Sequence, residues 1–404
     1  MSRCVAISFS PPDVREEDIE AVVEVLRSGW ITTGPVGRQF EQDLARYSGV
    51  NEVVLLNSCT AALELALRVL EVGPGDEVIV PAYTYSASAA VIAHVGADIV
   101  MVDVAPGEYV PAIDEIVAAV TTRTKAIIVV DIGGVPFDAA SLRERLEGTG
   151  VDADGNPLLE ALGRPAVITD GAHSLGAIRD GVRAGGLGDF TAFSFHAVKN
   201  LTTAEGGALT WRADLPVDQS ALTATVRRLS LHGQTKDALS KMKAGAWEYD
   251  ILEPGFKANM PDVLAALGVS QLRRYPEAVA RRQAIIRRYT ELLGDDFAVL
   301  AHEGEGFASS GHLQLVDLGE WRPRREEIIA GLAERGVAAN VHYKPLPLLT
   351  AYRDLGFEAA DYPHALRQFE GVLSLPLHTL LTDDDVDTVA TALLSVVRSL
   401  PDDR

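Results

Sequence analysis

Short runs of β-branched and aliphatic residues alternate along this chain with stretches whose apolar positions recur every three or four residues. Val53-Val54-Leu55-Leu56 reads as a strand. The stretch behind it carries Leu63, Ala66, Leu67 and Leu70 on one helical face, with Glu64 and Arg68 off the stripe. Gly73-Pro74-Gly75-Asp76 is a turn. Further strands are expected at Val78–Val80, Ile99–Val102, Ala126–Val130, Ala166–Thr169 and Thr191–Phe195, with helical stretches between them. Strands that are apolar on both faces and alternate with helices imply a mostly parallel sheet covered on both sides. The pattern changes near residue 260. Residues 262–292 read as one long helix or a helix pair, followed by a strand at His312–Val316 and a helix over 324–335. Thr382-Asp383-Asp384-Asp385 opens the last helix, because carboxylates suit a helix N-terminus. The expected organisation is α/β, with a large domain over residues 1–260 and a smaller C-terminal α+β domain over 261–404.

In parallel sheets of this kind, ligands bind beyond the carboxyl ends of the strands. That rule directs attention to Ser58–Thr60, Tyr83–Ser86, Asp131, Asp170–Ser174 and Ser194–Lys199.

Composition narrows the partners. The net charge is -21, from 57 acidic and 36 basic residues among 404, and a field of that sign repels nucleic acid and anionic lipid. An anionic substrate would need a local cluster of cations. The two cysteines, Cys4 and Cys59, supply neither a disulfide framework nor a four-ligand zinc site. The N-terminal MSRCVAISFS has no apolar signal core, and no apolar run is long enough to span a bilayer. A soluble, cytoplasmic protein with no metal is expected.

The strand-end residues match the needs of pyridoxal 5'-phosphate (PLP) chemistry. That chemistry takes a lysine for the Schiff base, a carboxylate for the pyridine nitrogen, a phosphate cradle and a flat wall for the ring. Asp170 directly follows an apolar strand, where a carboxylate is costly unless a cation meets it. Taken alone it reads as a turn or capping residue. Lys199 lies just past another apolar strand, with Gly206-Gly207 close behind, where desolvation lowers an amine's pKa. Taken alone it reads as a surface lysine. Ser58, Cys59 and Thr60 stand where a strand turns into a helix, the place for a phosphate or for plain N-capping. Tyr85 follows the next strand and can wall a ring.

In order and spacing these residues resemble the sugar aminotransferases of the DegT/DnrJ/EryC1/StrS group. The likeness runs from Gly29-Trp30-Ile31-Thr32-Thr33-Gly34-Pro35 to Leu373-Ser374-Leu375-Pro376-Leu377, and is most specific in SFHAVKNLTTAEGGA, residues 194–208. The resemblance implies a PLP-transferase fold type I (aspartate aminotransferase-like) and a homodimer. Lys199 would be the Schiff-base lysine and proton carrier, Asp170 the partner of the pyridine nitrogen, and His173 a contact of the ring or its hydroxyl. Tyr85 would stack on the ring, and Cys59, Thr60 and Ser194 would hold the phosphate. In Gly255-Phe256-Lys257-Ala258-Asn259-Met260, Lys257 and Asn259 would reach a partner subunit's site. Four positions depart from the group's usual pattern. Cys59 stands where glycine is common, Lys257 and Asn259 stand where Asn and Arg are common, and Asp131 stands where histidine is common.

The group's dehydratases carry histidine in place of the lysine, so Lys199 favours transamination. The group's substrates are mostly nucleotide-linked keto-sugars with glutamate as amino donor, and this chain looks more like C4- than C3-aminating members. Trp30, Thr32, His342 and Tyr343 are the expected substrate contacts. Arg227, Arg228, Lys236, Lys241 and Lys243 form a basic stretch, with Arg227 and Lys236 expected on the diphosphate. Ketocyclitol or aminohydroxybenzoate enzymes of the same group are the rival activities. A PLP-binding regulatory or scaffold protein is the rival outside catalysis.

Overall fold

The computed structural model describes residues 7–235 and 248–401. Five parallel strands come first: β1 (Val53–Leu56), β2 (Glu77–Pro81), β3 (Asp98–Val102), β4 (Thr124–Val130) and β5 (Ala166–Asp170). A hairpin of β6 (Ile178–Arg179) and β7 (Val182–Arg183) leaves the sheet, and β8 (Phe190–Ser194) and β9 (Gly207–Trp211) return to it. The spatial order is β1-β9-β8-β5-β4-β2-β3. Only β9 runs against the rest, antiparallel to both β1 and β8.

The continuous apolar runs are explained by burial on both faces. Val54, Leu56, Val78, Val80, Ile128 and Ile168 feed one core, and Val53, Leu55, Ile79, Ile127, Val129 and Val167 feed the other. The helix Cys59–Val69 lays Leu63, Ala66, Leu67 and the following Leu70 on the first core, as its stripe predicts. Every expected strand of the large sheet is present within two residues of its predicted ends.

The reading of 262–292 as a helix pair is the one observed: Asp262–Arg273 and Tyr275–Leu293, broken at Arg274. The first of the pair packs on helices Glu16–Ser28 and Pro35–Ser48. Asp262 reaches across to cap the second of these, accepting from the backbone N–H groups of Gly34 at 2.7 Å, Gly37 at 2.9 Å and Val36 at 3.1 Å. It supplies the acceptor that the N-cap residue Gly34 lacks.

In the C-terminal part, β10 (Ala298–Val299) leads to a hairpin of β11 (Glu303–Gly304) and β12 (Phe307–Ala308), then β13 (Gln314–Asp317) and β14 (Val372–Leu375). β13 lies between β10 and β14 in an antiparallel sheet of three. Helices Tyr275–Leu293 and Asp383–Ser399 cover it, with Tyr289, Val316, Leu375 and Leu393 in a separate third core. Thr382 caps the last helix through a capping box with Asp385. Ala265, Val269 and Val279 belong to the core under the large sheet, while Ile285 and Ile286 belong to the third core. The core therefore changes inside Tyr275–Leu293, later than the composition shift at residue 260. β12 also pairs with β6, joining the two parts by backbone hydrogen bonds.

Among the described residues, no helix is long and apolar enough to cross a membrane and no cluster of metal-ligating side chains occurs.

Candidate active site

The carboxyl ends of β1, β2, β4, β5 and β8 open into one cavity of about 370 Å³. Its wall carries Cys59, Thr60, Tyr85, Asp170, His173, Ser194, Lys199, His342 and Tyr343. Those nine are all the positions expected to meet cofactor or substrate at strand ends or on the His342-Tyr343 segment. Each arrives by a different local device.

Lys199 arrives on a hairpin. β8 and β9 pair as far as Ser194 and Gly207, so the loop 195–206 folds back over the strand ends. Phe195 N–H donates to the Gly206 carbonyl at 2.9 Å, and Lys199 N–H to the His196 carbonyl at 2.9 Å, which closes a tight turn around the lysine. The side chain keeps some solvent contact through the cavity, but its amine is crowded by protein. Burial pushes its pKa down to about 8, while the Asp170 and Cys59 acids pull the other way. Such an amine gives up its proton near neutral pH and can add to a carbonyl carbon.

Asp170 ends β5 and is only 6% exposed. Ser88 Oγ donates to its Oδ2 at 2.7 Å, the Ala172 N–H to its Oδ1 at 3.1 Å, and the Cys59 thiol lies 3.6 Å from Oδ1. Burial and the neighbouring carboxylate hold that thiol protonated, well above its ordinary pKa, so it serves as a donor. Among the described residues Asp170 closes no ion pair.

His173 follows on the same turn. Its Nε2 meets the Tyr343 hydroxyl at 3.0 Å, and its buried Nδ1 has no protein partner. Burial, then the charge of Lys199, hold its pKa well below the usual histidine range, so the ring is neutral. Tyr343 is itself held by Tyr83, whose hydroxyl donates to the His342 carbonyl at 2.6 Å and accepts from Tyr343 N–H at 2.9 Å. The Tyr85 and Tyr343 rings lie 5.8 Å apart, tilted by 52°. Tyr85, 63% exposed, forms an open flank of the cavity.

At the start of helix Cys59–Val69, Ser58 performs the plain capping role: its Oγ accepts from Ala61 N–H at 3.1 Å. The Cys59 and Thr60 amides of that turn remain for a ligand. Gly207 sits directly beneath, where an added Cβ would stand 2.5 Å from Cys59 N and collide with the Ser58 carbonyl carbon. The turn is thus pressed onto β9, and the close approach requires glycine.

This set fits PLP. A buried carboxyl with two hydroxyl or thiol donors and no cation faces the cavity, an orphaned histidine nitrogen lies beside it, and a helix N-terminus and a depressed lysine complete the wall. Sequence reasoning pointed to the Tyr83–Ser86 segment without giving Tyr83 a role, and it missed Ser88, in the first turn of helix Ser86–Val95. It also missed Glu205 on the cavity wall. Neither belongs to a pattern that spacing reveals, since each acts through a contact distant in sequence.

The remaining expected residues lie elsewhere in this chain. Trp30 packs on Gly34 and donates from Nε1 to the Thr33 carbonyl at 3.2 Å. Thr32 is exposed, and its carbonyl accepts from Asp262 N–H at 3.1 Å. Lys257 is exposed and donates to Asn259, which donates in turn to Thr33. Asn259 and Arg227 line a second, larger cavity of about 430 Å³. Arg227 is paired there with Glu41 at 2.6 Å. That cavity lacks the lysine, carboxyl and histidine set, so size does not decide between the two. Lys236, with Lys241 and Lys243, lies outside the described residues.

The model of the DegT/DnrJ/EryC1/StrS aminotransferase family matches residues 12–394. The chain is 36% identical over 400 residues to the spore coat polysaccharide biosynthesis protein SpsC of Bacillus subtilis (strain 168), covering 97% of each chain. Among solved structures, it is 48% identical to the PMP form of "Putative sugar aminotransferase Spr1654" from Streptococcus pneumoniae, with a TM-score of 0.94 over 97% of this chain and 99% of that one. A PLP form of the same protein matches at 46% identity and a TM-score of 0.92, with the same coverage. DesI, solved in the presence of its TDP-sugar product, matches at 29% identity and a TM-score of 0.80, over 98% of this chain and 94% of that one.

Proposed function

The chain belongs to the DegT/DnrJ/EryC1/StrS aminotransferase family, a PLP-dependent sugar aminotransferase, and we propose that it aminates a nucleotide-linked 4-keto-6-deoxyhexose with glutamate as donor. The observation that carries this reading is the convergence of Lys199, Asp170 and His173 on one cavity, with the lysine amine held near neutral pKa. The TDP-sugar product of DesI supports a nucleotide-linked substrate.

When bound, PLP supplies an electrophilic carbonyl carbon and a ring that withdraws electrons from it. The residues of the chain do the rest. Lys199 Nζ would hold the cofactor and, when free, would serve as the base and acid that moves a proton between the substrate carbon and the cofactor. Asp170 would pair with the ring nitrogen and favour its protonated form, with Ser88 and Cys59 fixing the carboxyl plane. His173, neutral, would offer a nitrogen to the ring hydroxyl. Cys59, Thr60 and Ser194 would hold the phosphate, and Tyr85 would cover one face of the ring.

The donor's carboxylates need cations, and among the described residues no arginine lines the cavity. A second copy of the chain completes it in this reading. Lys257 and Asn259 are exposed or half-buried at the end of β1, placed to serve a neighbour. Trp30, Thr32 and Arg227 are assigned to substrate across the same junction. His342 and Tyr343 are assigned to the sugar from within the chain.

Turnover with glutamate and a panel of nucleotide-linked 4-keto and 3-keto sugars, ketocyclitols and aminohydroxybenzoate precursors tests the proposal. Mass spectrometry should show a 4-amino sugar and 2-oxoglutarate in equal amounts. Amination of a ketocyclitol alone, or of no sugar, would overturn it.

A further inference from the structure

His312 takes no part in the cavity wall, yet it is buried against His173 and against Asn200, the residue after Lys199. It lies just before β13, in the C-terminal part, at 6% exposure. Its ring stands 4.2 Å from that of His173, centroid to centroid, at 35°. Its Nδ1 lies 2.9 Å from Asn200 Oδ1, and Asn200 is the residue after Lys199. The protonation of this bond can be assigned. Asn200 Nδ2 donates to the Ser310 carbonyl at 3.0 Å, which fixes the amide so that Oδ1 is the acceptor. His312 Nδ1 must then carry the proton. The ring is neutral, since burial, followed by the neighbouring His173 and Lys199, holds its pKa well below the usual range.

The contacts close on themselves. Ser310 Oγ donates to the His173 carbonyl, so a circuit runs from Asn200 to His312, across the rings to His173, and back through Ser310 to Asn200. The segment is held from behind as well. His312 N–H donates to the Gly133 carbonyl at 2.9 Å and Ser310 N–H to the Gly134 carbonyl at 3.1 Å. Gly134 has φ +92, and a Cβ there would meet Ser310 Oγ and the His173 carbonyl. The loops after β4, β5 and β8 are therefore tied to one short stretch of the C-terminal part. Two of them carry His173 and Lys199.

We propose that His312 is a positioning residue for amino transfer: its ring backs His173 and its Nδ1–H pins Asn200, so that the Lys199 amine and the His173 ring keep one relative placement. This rests on the reading of Lys199 as the cofactor's attachment point. A proton carrier displaced by about 1 Å loses on the order of a hundredfold in rate without a matching loss of binding.

Two substitutions separate the two links. His312→Phe keeps a ring against His173 and loses the N–H. His312→Asn keeps a donor at the Nδ1 position and loses the ring. Each holoenzyme is measured for kcat, for KM toward both substrates, and for the visible circular dichroism of bound PLP, which reports the seating of the ring. For His312→Phe the expected result is a kcat lower by about 10- to 100-fold, KM values within about threefold, and a dichroic band changed in amplitude. His312→Asn should recover part of the lost kcat. Asn200→Ala, which removes the same bond from the other side, should reproduce the His312→Phe pattern, and it carries the test if His312→Phe does not fold. A folded His312→Phe or Asn200→Ala enzyme with wild-type kcat and dichroism would overturn the proposal. So would a lower melting temperature with unchanged kcat per folded molecule. Lys199→Ala serves as the control. Persistence of a borohydride-reducible cofactor linkage in that variant would remove the reading of Lys199 itself, a result distinct from failure of the clamp.

Discussion

Replacing Asp170 by Asn should lower the pKa of Lys199 further. The wild-type amine is pushed from 10.5 to about 8 by burial, and Asp170 is the stronger of the two acids that keep the proton on it. At pH 7 an amine of pKa 8 is about one-tenth neutral, whereas one of 10.5 is neutral in about one molecule in 3,000, a gain of roughly 300-fold in reactive amine. The asparagine side chain would keep the Ser88 and Ala172 contacts in outline and remove the charge. With the counter-charge gone and the burial unchanged, the ammonium is less stable and the midpoint moves down. Competitive acetylation of the apoprotein with trace acetic anhydride, read by mass spectrometry of the Lys199 peptide from pH 5.5 to 10.5, gives the midpoint directly. The reagent is neutral and contains no pyridine ring, so the result does not depend on cofactor affinity. A wild-type midpoint near 10 would refute the desolvation argument. A variant midpoint equal to or above the wild type would refute the assignment of Asp170 as the opposing charge.

Gly207→Ala would drive a methyl group into the Ser58–Cys59 peptide. It should weaken PLP binding by at least tenfold in equilibrium titration, and unchanged affinity would dismiss the phosphate cradle. Asp131 is fully buried, its Oδ2 has no partner, and burial raises its pKa to about 7. The native state thus keeps a proton that the unfolded chain releases near pH 4, so stability falls as pH rises between those values. Asp131→Asn does not titrate, and its stability relative to wild type should rise from pH 4 to pH 8, by up to about 4 kcal/mol for three units at 1.36 each; a difference flat with pH in chemical denaturation would contradict this. Arg227→Ala should raise KM for the nucleotide sugar by about 10-fold, the scale of a charge-assisted contact, and leave KM for glutamate unchanged. Equal effects on both substrates would remove Arg227 from the diphosphate.

The parallel strands were legible because their register is written in burial. A run such as Ala126–Val130 is apolar on both faces, which only a covered sheet accommodates. β9 was not legible, because Gly206-Gly207 reads as a loop and its pairing with β1 and β8 is set by contacts distant in sequence. The helices Glu16–Ser28 and Pro35–Ser48 depend on Asp262 and on packing against Asp262–Arg273, again a distant partner. At the site, residues directly after strands were found because position after a strand is a sequence property. Ser88 and His312 were not, because they act from inside a helix and from the other part of the chain. Where Asn259 and Arg227 end up is not a property of one strand end either. They line a different cavity of the same chain, and their proposed role needs a second copy.

The claim on which everything else rests is that Lys199 holds PLP and exchanges it for an amino donor. Borohydride reduction of the loaded protein, followed by peptide mass spectrometry, tests it most directly, performed before and after exposure to glutamate. A phosphopyridoxyl group should be found on Lys199 before the donor is added and be lost after it, then return once a nucleotide-linked keto-sugar is supplied. A label on any other lysine, or a label on Lys199 that glutamate leaves in place, would contradict the account.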